Sequence, residues 1–266
     1  VSDSEESRSR EEHPVQAVLV GFAVGADTSS ASVIQVECDY EEAARLASRV
    51  DWNGALPARA NRWRWRAAQR LKRIVDFCVA GTGLVILSPV FLLVAAAVAL
   101  DSPGPVFYPW RVLGYRGRRF TGYKFRSMVS NADSLKASLA HLNQMSGPVF
   151  KIRNDPRVTR VGRFLRRYSI DELPQLWSVV KGDMSLVGPR PPSPREYVDF
   201  LPAQRRKLAV VPGITCLWQV LGRSEINSFA EWASLDLEYI ERWSLWLDLQ
   251  ILLRTVPAVL VGRGAY

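Results

Sequence analysis

Residues 77–100 read FCVAGTGLVILSPVFLLVAAAVAL, 24 residues without a charge. At about 1.5 Å per residue, a straight helix of that length crosses a hydrocarbon core of about 30 Å. Ser88-Pro89 stands at its centre. A proline there removes a helical hydrogen bond and clashes with the preceding turn. Each arm is then roughly 16 Å long, about half the core. Both flanks are basic. Residues 59–73, RANRWRWRAAQRLKR, hold seven bases, two tryptophans and no acid. After Asp101, residues 102–126 hold Arg111, Arg116, Arg118, Arg119, Lys124 and Arg126, again without an acid. The positive-inside tendency places both flanks on the cytoplasmic side. The segment is therefore expected to enter a membrane, break at Ser88-Pro89 and return, the serine hydroxyl bonding a carbonyl that the proline frees. A kinked full span and a buried core helix are the alternatives. A start far from the N-terminus, with no cleavage region after it, argues against a signal peptide.

The remaining composition narrows the class. A chain of 266 residues is one large domain or two small ones. Its net charge of +9 is uneven: residues 1–58 carry 11 acids and 4 bases, and the remainder carries 15 acids and 31 bases. The basic run at 59–73 reads as a solvated face, a nucleic-acid contact or a membrane surface, and tryptophan beside arginine suits the last. Two histidines, His13 and His141, exclude a multi-histidine metal site and leave little room for a histidine-based triad. Cys38, Cys78 and Cys216 are odd in number and far apart, so no disulfide framework follows and a reducing compartment fits.

Residues 1–14 read as a disordered tail and 15–57 as a small α/β segment. That segment has expected strands at Val15–Val20 and Ser32–Val36 and a helix at Tyr40–Val50. Gly21–Gly25 is no dinucleotide fingerprint. The basic lead-in and apolar segment occupy 58–101, and a mainly helical domain follows over 102–266. Within it a strand is expected over Thr121–Arg126. Helices are expected over Ala132–Asn143, Asp171–Lys181 (stopped by Gly182), Arg195–Val210 and, apart from Pro257, Phe229–Val261, and Arg163–Tyr168 gathers bases and aromatics around Leu165. Trp232, Leu235, Tyr239, Trp243 and Trp246 form a stripe that suits a protein core or a helix lying at a membrane interface. Asp236 falls on its apolar side, where an arginine partner is expected.

The densest chemistry lies in Lys151-Ile-Arg-Asn-Asp-Pro-Arg157, Arg166-Arg-Tyr-Ser-Ile-Asp-Glu-Leu-Pro-Gln175, Lys181–Ser185 and Pro189-Arg-Pro191. Asp171 and Glu172 are adjacent carboxylates among arginines. On a helix they point about 100° apart, poorly placed to face one another across a glycosidic bond. They suit separate tasks, one attacking and one holding a metal. Ser169-Ile-Asp-Glu172 also fits a capping box, and a helix starting at Pro174 is a further reading. Both place the acids at a helix N-terminus, where phosphate is favoured. Arginines around an acid pair match a diphosphate with Mg²⁺. Arg190, between two prolines, is either a pre-organised phosphate ligand or a loop salt bridge.

From about Leu71 to Tyr266 the chain resembles the bacterial sugar transferase family, the monotopic polyprenyl-phosphate phosphoglycosyl transferases. The resemblance rests on Lys72-Arg-Ile-Val-Asp76, Ser88-Pro89, Gly104-Pro-Val-Phe107, Lys124-Phe-Arg-Ser-Met128 and Asp155-Pro-Arg157. It continues in Ser169–Gln175, Lys181–Pro191, Pro212-Gly-Ile-Thr215 and Gly262–Tyr266. It implies an α+β monotopic membrane fold, with a re-entrant helix broken at Ser88 and Pro89, a compact helical catalytic domain and interfacial amphipathic helices. It further implies transfer of a sugar phosphate from a UDP-sugar to undecaprenyl phosphate at the cytoplasmic face of the bacterial inner membrane. In that reading Asp171 is the nucleophile and Glu172 the Mg²⁺ ligand. Lys124, Arg126, Lys151, Arg157, Arg166 and Arg190 bind substrate. Membrane lipid is an expected partner, nucleic acid is not, and a homodimer is compatible with it. Trp243-Ser-Leu-Trp246 resembles relatives that transfer hexose phosphates, which favours glucose or galactose. Ser178 and Cys216 depart from the expected Asn and Gly. Residues 1–57 are too short for the upstream helices and domain of long relatives, so a compact or truncated form is expected. A non-catalytic basic surface module is the rival reading, and it has no need of the acid pair.

Overall fold

The apolar stretch folds as two helices that meet at the proline. A computed structural model describes residues 28–56, 62–222 and 226–261 of the chain. The tail, the Val15–Val20 strand, Gly21–Gly25 and the Gly262–Tyr266 motif lie outside the described residues. Helix α1 (Thr28–Ala47) is followed by α2 (Arg62–Ile86) and α3 (Ser88–Asp101). Next come β1 (Phe107–Leu113), β2 (Arg119–Phe125), α4 (Ala132–Leu135) and α5 (Arg160–Arg167). A 3-10 turn at Ile170–Gln175 leads into α6 (Leu176–Lys181) and β3 (Ser185–Val187). The chain continues through α7 (Pro194–Val198), α8 (Pro202–Arg205), β4 (Gly213–Thr215) and α9 (Leu217–Leu221), and ends in α10 (Phe229–Arg242) and α11 (Leu245–Val261). The fold is mixed helix and sheet, with helix predominant. The chain divides into two compact units after Cys38, and the core and the site described below lie in the second.

No single described helix is long and apolar enough to cross a membrane, and α2 and α3 meet at a bend of 61°. The cause is local. Pro89 has no N–H to give the carbonyl four residues back, that of Val85. The Ser88 hydroxyl donates to that carbonyl instead, at 2.8 Å. The expected serine–proline break is thus present, with the freed acceptor satisfied. Around the bend Val85, Ile86, Leu92 and Leu93 are 74%, 68%, 73% and 72% exposed, too much apolar surface for a buried core helix.

The other end of α2 is held by buried charge. Lys72 Nζ lies 2.6 Å from Asp248 Oδ2 on α11. Asp248 also accepts from the Tyr239 hydroxyl at 2.7 Å and the Trp243 indole at 3.2 Å. One turn along α2, Asp76 accepts from Ser185 Oγ at 2.7 Å and the Leu186 N–H at 3.2 Å. Arg73 donates to the carbonyls of Val179 and Val180, closing the end of α6. The Lys72–Asp76 motif therefore ties the apolar helix to α6, β3 and α11. Around it Ala80, Val112, Phe120, Val179, Met184, Leu186, Tyr239, Ile240 and Ile251 form the main core.

Strands β1 and β2 form an antiparallel hairpin in which Tyr108 faces Lys124 and Trp110 faces Gly122. Strands β3 and β4 are short and parallel. They cross so closely that a Cβ on Gly213 would lie 2.0 Å from the Gly188 nitrogen, which requires glycine in both motifs. Helix α3 packs against β2 and α5 through Val98, Phe125 and Leu165. The Thr121–Arg126 strand and the stop at Gly182 (φ 93°) are found close to where the sequence places them, and the basic, aromatic run at 163–168 falls largely in helix α5.

Several expected elements differ. Ser32–Val36 lies within helix α1 and is not a strand, because no Gly or Pro separates it from the helix-forming run that follows. Ala132–Asn143 is helical only in its first turn and in a 3-10 turn at Ala140–Leu142. There Ser134 and Ser138 bond carbonyls three residues back, competing with the helix. Arg195–Val210 breaks before Pro202, which drives Leu201 to extended angles. Phe229–Val261 breaks at Trp243 (ψ 131°), and Ser244 Oγ accepts the Leu247 N–H to start α11, which runs through Pro257. Along the tryptophan stripe Trp232 and Tyr239 are core while Trp246 is 63% exposed. Buried Asp236 pairs with Lys207 at 2.5 Å and not with an arginine.

Asp248→Ala should cost about 3–5 kcal/mol by stranding the buried Lys72 ammonium, and Asp248→Asn should cost less. Thermal unfolding in detergent or nanodiscs checks this. Equal melting of Asp248→Ala and the wild type would show that the network does not hold α2.

Candidate active site

The acid pair sits in the 3-10 turn at Ile170–Gln175, between α5 and α6 and against β2. The chain enters it through Ser169 in the left-handed region (φ 52°), and the Ser169 side chain makes no capping bond. The capping-box reading of Ser169-Ile-Asp-Glu172 is therefore corrected, because the left-handed turn aims the hydroxyl elsewhere. Ser193 and Glu196 form such a box at the start of α7. Pro174 lies inside the 3-10 turn and does not begin α6.

Asp171 is buried. Burial, and then the neighbouring Glu172 carboxylate, push it up from 3.8 to about 6, against the opposing pull of Lys124 and Arg166. Glu172 Oε1 holds Lys124 Nζ at 2.7 Å. The same ammonium lies 4.2 Å from the centre of the Trp110 ring, close enough for a cation–π contact. Gly122, opposite Trp110 on β2, leaves that indole its space.

Asp171 lines a cavity of about 350 Å³ together with Tyr108, Trp110, Lys124, Phe150 and Arg166. Arg166 Nε donates to Ser127 Oγ at 2.9 Å. Arg126 and Arg157 also line the cavity, but their guanidinium groups are engaged. Arg126 donates to the carbonyls of Val98, Ser102 and Pro103, closing the C-terminus of α3. Arg157 grips Asp155 through Nε at 2.9 Å and an amino group at 2.6 Å. Arg190 lies at the edge, 5.8 Å from the Trp110 ring and 3.4 Å from Glu196. Lys151 is not among the lining residues, and its ammonium lies 5.7 Å from the Trp232 ring. The structure thus brings Asp171, Lys124, Arg126, Arg157 and Arg166 around one space, with Glu172 joined to it through Lys124, Arg190 beside it and Lys151 elsewhere.

Trp110, Tyr108 and Phe150 are site residues that the sequence reading passed over. The signal was the alternation of Tyr108 and Trp110 along a strand whose partner carries Gly122 and Lys124 on the same face. Of the two unexpected residues, Cys216 is buried at the start of α9, and burial pushes its thiol well up. Ser178 is wholly buried, with its carbonyl taking the amides of Gly182, Asp183 and Met184.

Glu172, next to Asp171 in the turn, could hold a divalent cation. Mg²⁺ is commonly bound by one or two carboxylates, with water and substrate phosphate completing its shell. Among the described residues no group of three or more acid, histidine or cysteine side chains forms a rival metal site. The like-charge contact that raises Asp171 is of the kind a cation relieves. A buried carboxylate held near neutrality beside a cationic, aromatic-lined cavity can attack phosphorus or exchange a proton, and it can accommodate a phosphorylated substrate.

Comparison with known proteins matches this arrangement. The family model described as "Bacterial sugar transferase" covers residues 67–262. "Galactosyl transferase CpsE" of Streptococcus agalactiae is 46% identical over 194 residues, covering 73% of this chain and 43% of that protein. "Exopolysaccharide production protein ExoY" of Rhizobium meliloti is 40% identical over 199 residues, 73% of this chain and 88% of that protein. "Undecaprenyl-phosphate glucose phosphotransferase" of Komagataeibacter xylinus is 41% identical over 208 residues, 73% of this chain and 37% of that protein. The chain spans less than half of CpsE and of the K. xylinus protein, and most of ExoY. The acid pair, its cationic cavity and the bent apolar helices all fall within the matched residues, and the chain belongs to the bacterial sugar transferase family.

Proposed function

We propose that this chain transfers a hexose 1-phosphate, glucose or galactose, from a UDP-sugar to undecaprenyl phosphate and releases UMP. The observation that carries the reading is Asp171, a buried carboxylate poised near neutrality on the wall of a cationic cavity. Asp171 attacks the β-phosphorus of the UDP-sugar. The bond from that phosphorus to the bridging oxygen breaks, and UMP leaves with the oxygen. An oxygen of the lipid phosphate then attacks the same phosphorus and expels the Asp171 carboxylate. Splitting the displacement in two suits a water-soluble donor and a lipid acceptor. Lys124 and Arg166 offset the diphosphate charge, and Trp110 holds Lys124 in place. Bound Mg²⁺, with Glu172 as its ligand, would neutralise charge on the diphosphate.

The proposed setting is the cytoplasmic face of the bacterial inner membrane, at the start of exopolysaccharide, capsule or O-antigen synthesis. The 61° bend and the exposed apolar side chains around it support a re-entrant seat for α2 and α3. The names of the relatives support both the hexose and the undecaprenyl acceptor.

A UMP-release assay across UDP-glucose, UDP-galactose and their N-acetylated counterparts, with and without undecaprenyl phosphate, tests the proposal. Release should favour one hexose. Chelation of divalent metal should abolish it, and Glu172→Gln should weaken the rate or its metal dependence. Full wild-type activity in chelator would remove Mg²⁺ from the proposal.

Asp171→Asn should lose turnover by roughly a thousandfold or more. Its stability should move the other way. An acid raised from 3.8 to about 6 in the fold costs no stability below the lower value and the full amount above the higher one. The variant should therefore melt a few degrees above the wild type at pH 8, and the gap should close as pH falls through about 6. A variant that turns over near the wild-type rate, or melts lower at pH 8, would make Asp171 structural.

Ser88-Pro89→Ala-Leu restores an unbroken apolar helix long enough to span. It should move toward a true crossing and lose activity. Single cysteine reporters at positions 60 and 115, labelled in intact cells after removal of Cys38, Cys78 and Cys216, read the topology. Labelling of only one wild-type reporter from outside would make the segment an ordinary span.

A further inference from the structure

Asp171 and Glu172 line different cavities. Asp171 faces the cationic cavity described above, whereas Glu172 lies at one end of a second cavity of about 170 Å³. Successive residues of a 3-10 turn, with about three residues per turn, point some 120° apart, which accounts for the division. The second cavity is walled by Leu173 and Leu176 after the acid pair, Ile214 and Val220 from β4 and α9, and Ala258 and Val259 from α11. Its two threonine hydroxyls are internally satisfied. Thr255 Oγ1 donates to the Ile251 carbonyl at 2.8 Å, and the Thr215 and Thr255 hydroxyls lie 2.8 Å apart. Tyr168, Ser169 and Gln219 complete a mainly apolar trough, whose charged end is Glu172 with the Lys124 ammonium at 2.7 Å.

We infer that this trough holds the first isoprenoid units of the acceptor lipid phosphate, with the phosphate at the Lys124–Glu172 end. The inference rests on the proposed reaction and adds the site where its acceptor is recognised. Charge and polarity both select this occupant. The trough presents mainly apolar walls, while the neighbouring cavity offers a nucleobase aromatics and cations. An alkyl or isoprenoid chain needs only apolar walls, and its phosphate needs the ammonium. The trough is also continuous with the exposed apolar face. A Cβ on Gly83 of α2 would meet Leu176 at 3.5 Å. Val256 and Leu260, beside the α11 wall residues, are 58% and 71% exposed. A chain leaving the trough therefore passes onto apolar surface. The isoprenoid chain and the donor then sit on opposite sides of one turn, and the lipid phosphate reaches the phosphorus on Asp171 past Lys124, which lines the donor cavity.

Filling the trough tests this. Ala258→Phe and Val220→Phe narrow it from two separate walls without touching the acid pair. In the UMP-release assay each should raise KM for undecaprenyl phosphate by roughly tenfold or more and leave KM for the UDP-sugar within about twofold. Wild-type values for both substrates, or a parallel rise in both, would overturn the inference while leaving the reaction standing. A wild type that transfers nothing to undecaprenyl phosphate would overturn the reaction, and the inference with it. A second readout does not depend on the variants folding. An isoprenoid phosphate bearing a diazirine on its first unit should label wild-type peptides containing Leu217–Leu221 or Thr255–Val261. Excess unlabelled isoprenoid phosphate should compete this labelling, and inorganic phosphate or a fatty acid should not. Labelling confined to α2 and α3, or competed equally by the fatty acid, would overturn the trough as the acceptor site.

Discussion

Two buried charges one turn apart on α2 constrain much of the rest of this structure. Lys72 and Asp76 are 8% and 5% exposed, and burying either alone would cost several kcal/mol. The two pair loosely with each other at 4.0 Å, and the catalytic half of the chain supplies the closer partners: Asp248 for the lysine, and Ser185 with the Leu186 amide for the aspartate. The uncharged part of α2, beyond Asp76, has no charged side chain with which to fix its own depth or rotation. These partners supply both. They place Gly83 against Leu176, a few residues after the acid pair. The height of the Ser88–Pro89 bend relative to the site is thereby set by hydrogen bonds far from either.

The acid pair works against the stability of its own surroundings. Burial and the adjacent Glu172 push Asp171 toward neutrality, while Lys124 and Arg166 pull it back. Neither side wins outright, and the result is a carboxylate that titrates near 6. Full ion pairing would leave it stable and a poor nucleophile. Burial without cations would leave it protonated. The Lys124–Glu172 pair carries much of this balance, since one ammonium neutralises the second acid and lowers the first. Trp110 matters because it holds that ammonium from the opposite strand.

The sequence was most legible where a single residue decides the backbone. Pro89 breaks the apolar helix, Gly182 ends α6, and Pro202 splits a helix that periodicity alone drew as one. Proline and glycine act through φ and a missing N–H, which need no tertiary context. It was least legible where short polar side chains choose among neighbours. Ser169 and Ser193 both precede a glutamate by three residues, yet only Ser193 forms the box. The difference is that Ser169 lies in the left-handed region, imposed by packing of α5 against the 3-10 turn. The arginines are a similar case. Composition gathers Arg126, Arg157, Arg166 and Arg190 into one cationic site, and all four do lie at or beside the cavity. Only contacts reveal that Arg126 closes a helix and Arg157 clasps Asp155. Lys124, in contrast, was marked by its motif and reaches the acid pair directly.

A short 3-10 turn is an unusual place for two reactive acids, because its geometry is poorer than that of an α-helix. Here the tighter winding has a use. In an α-helix adjacent side chains diverge by about 100°. In the 3-10 turn they diverge further, and Asp171 and Glu172 come to line separate spaces, one polar and cationic, the other apolar. The residues that separate those spaces are the ones that carry the chemistry. A donor that is soluble and anionic and an acceptor that is long and apolar have no common solvent. On the proposed reaction they meet at this turn, beside Lys124, which lines the cationic cavity and holds Glu172 at the end of the apolar one.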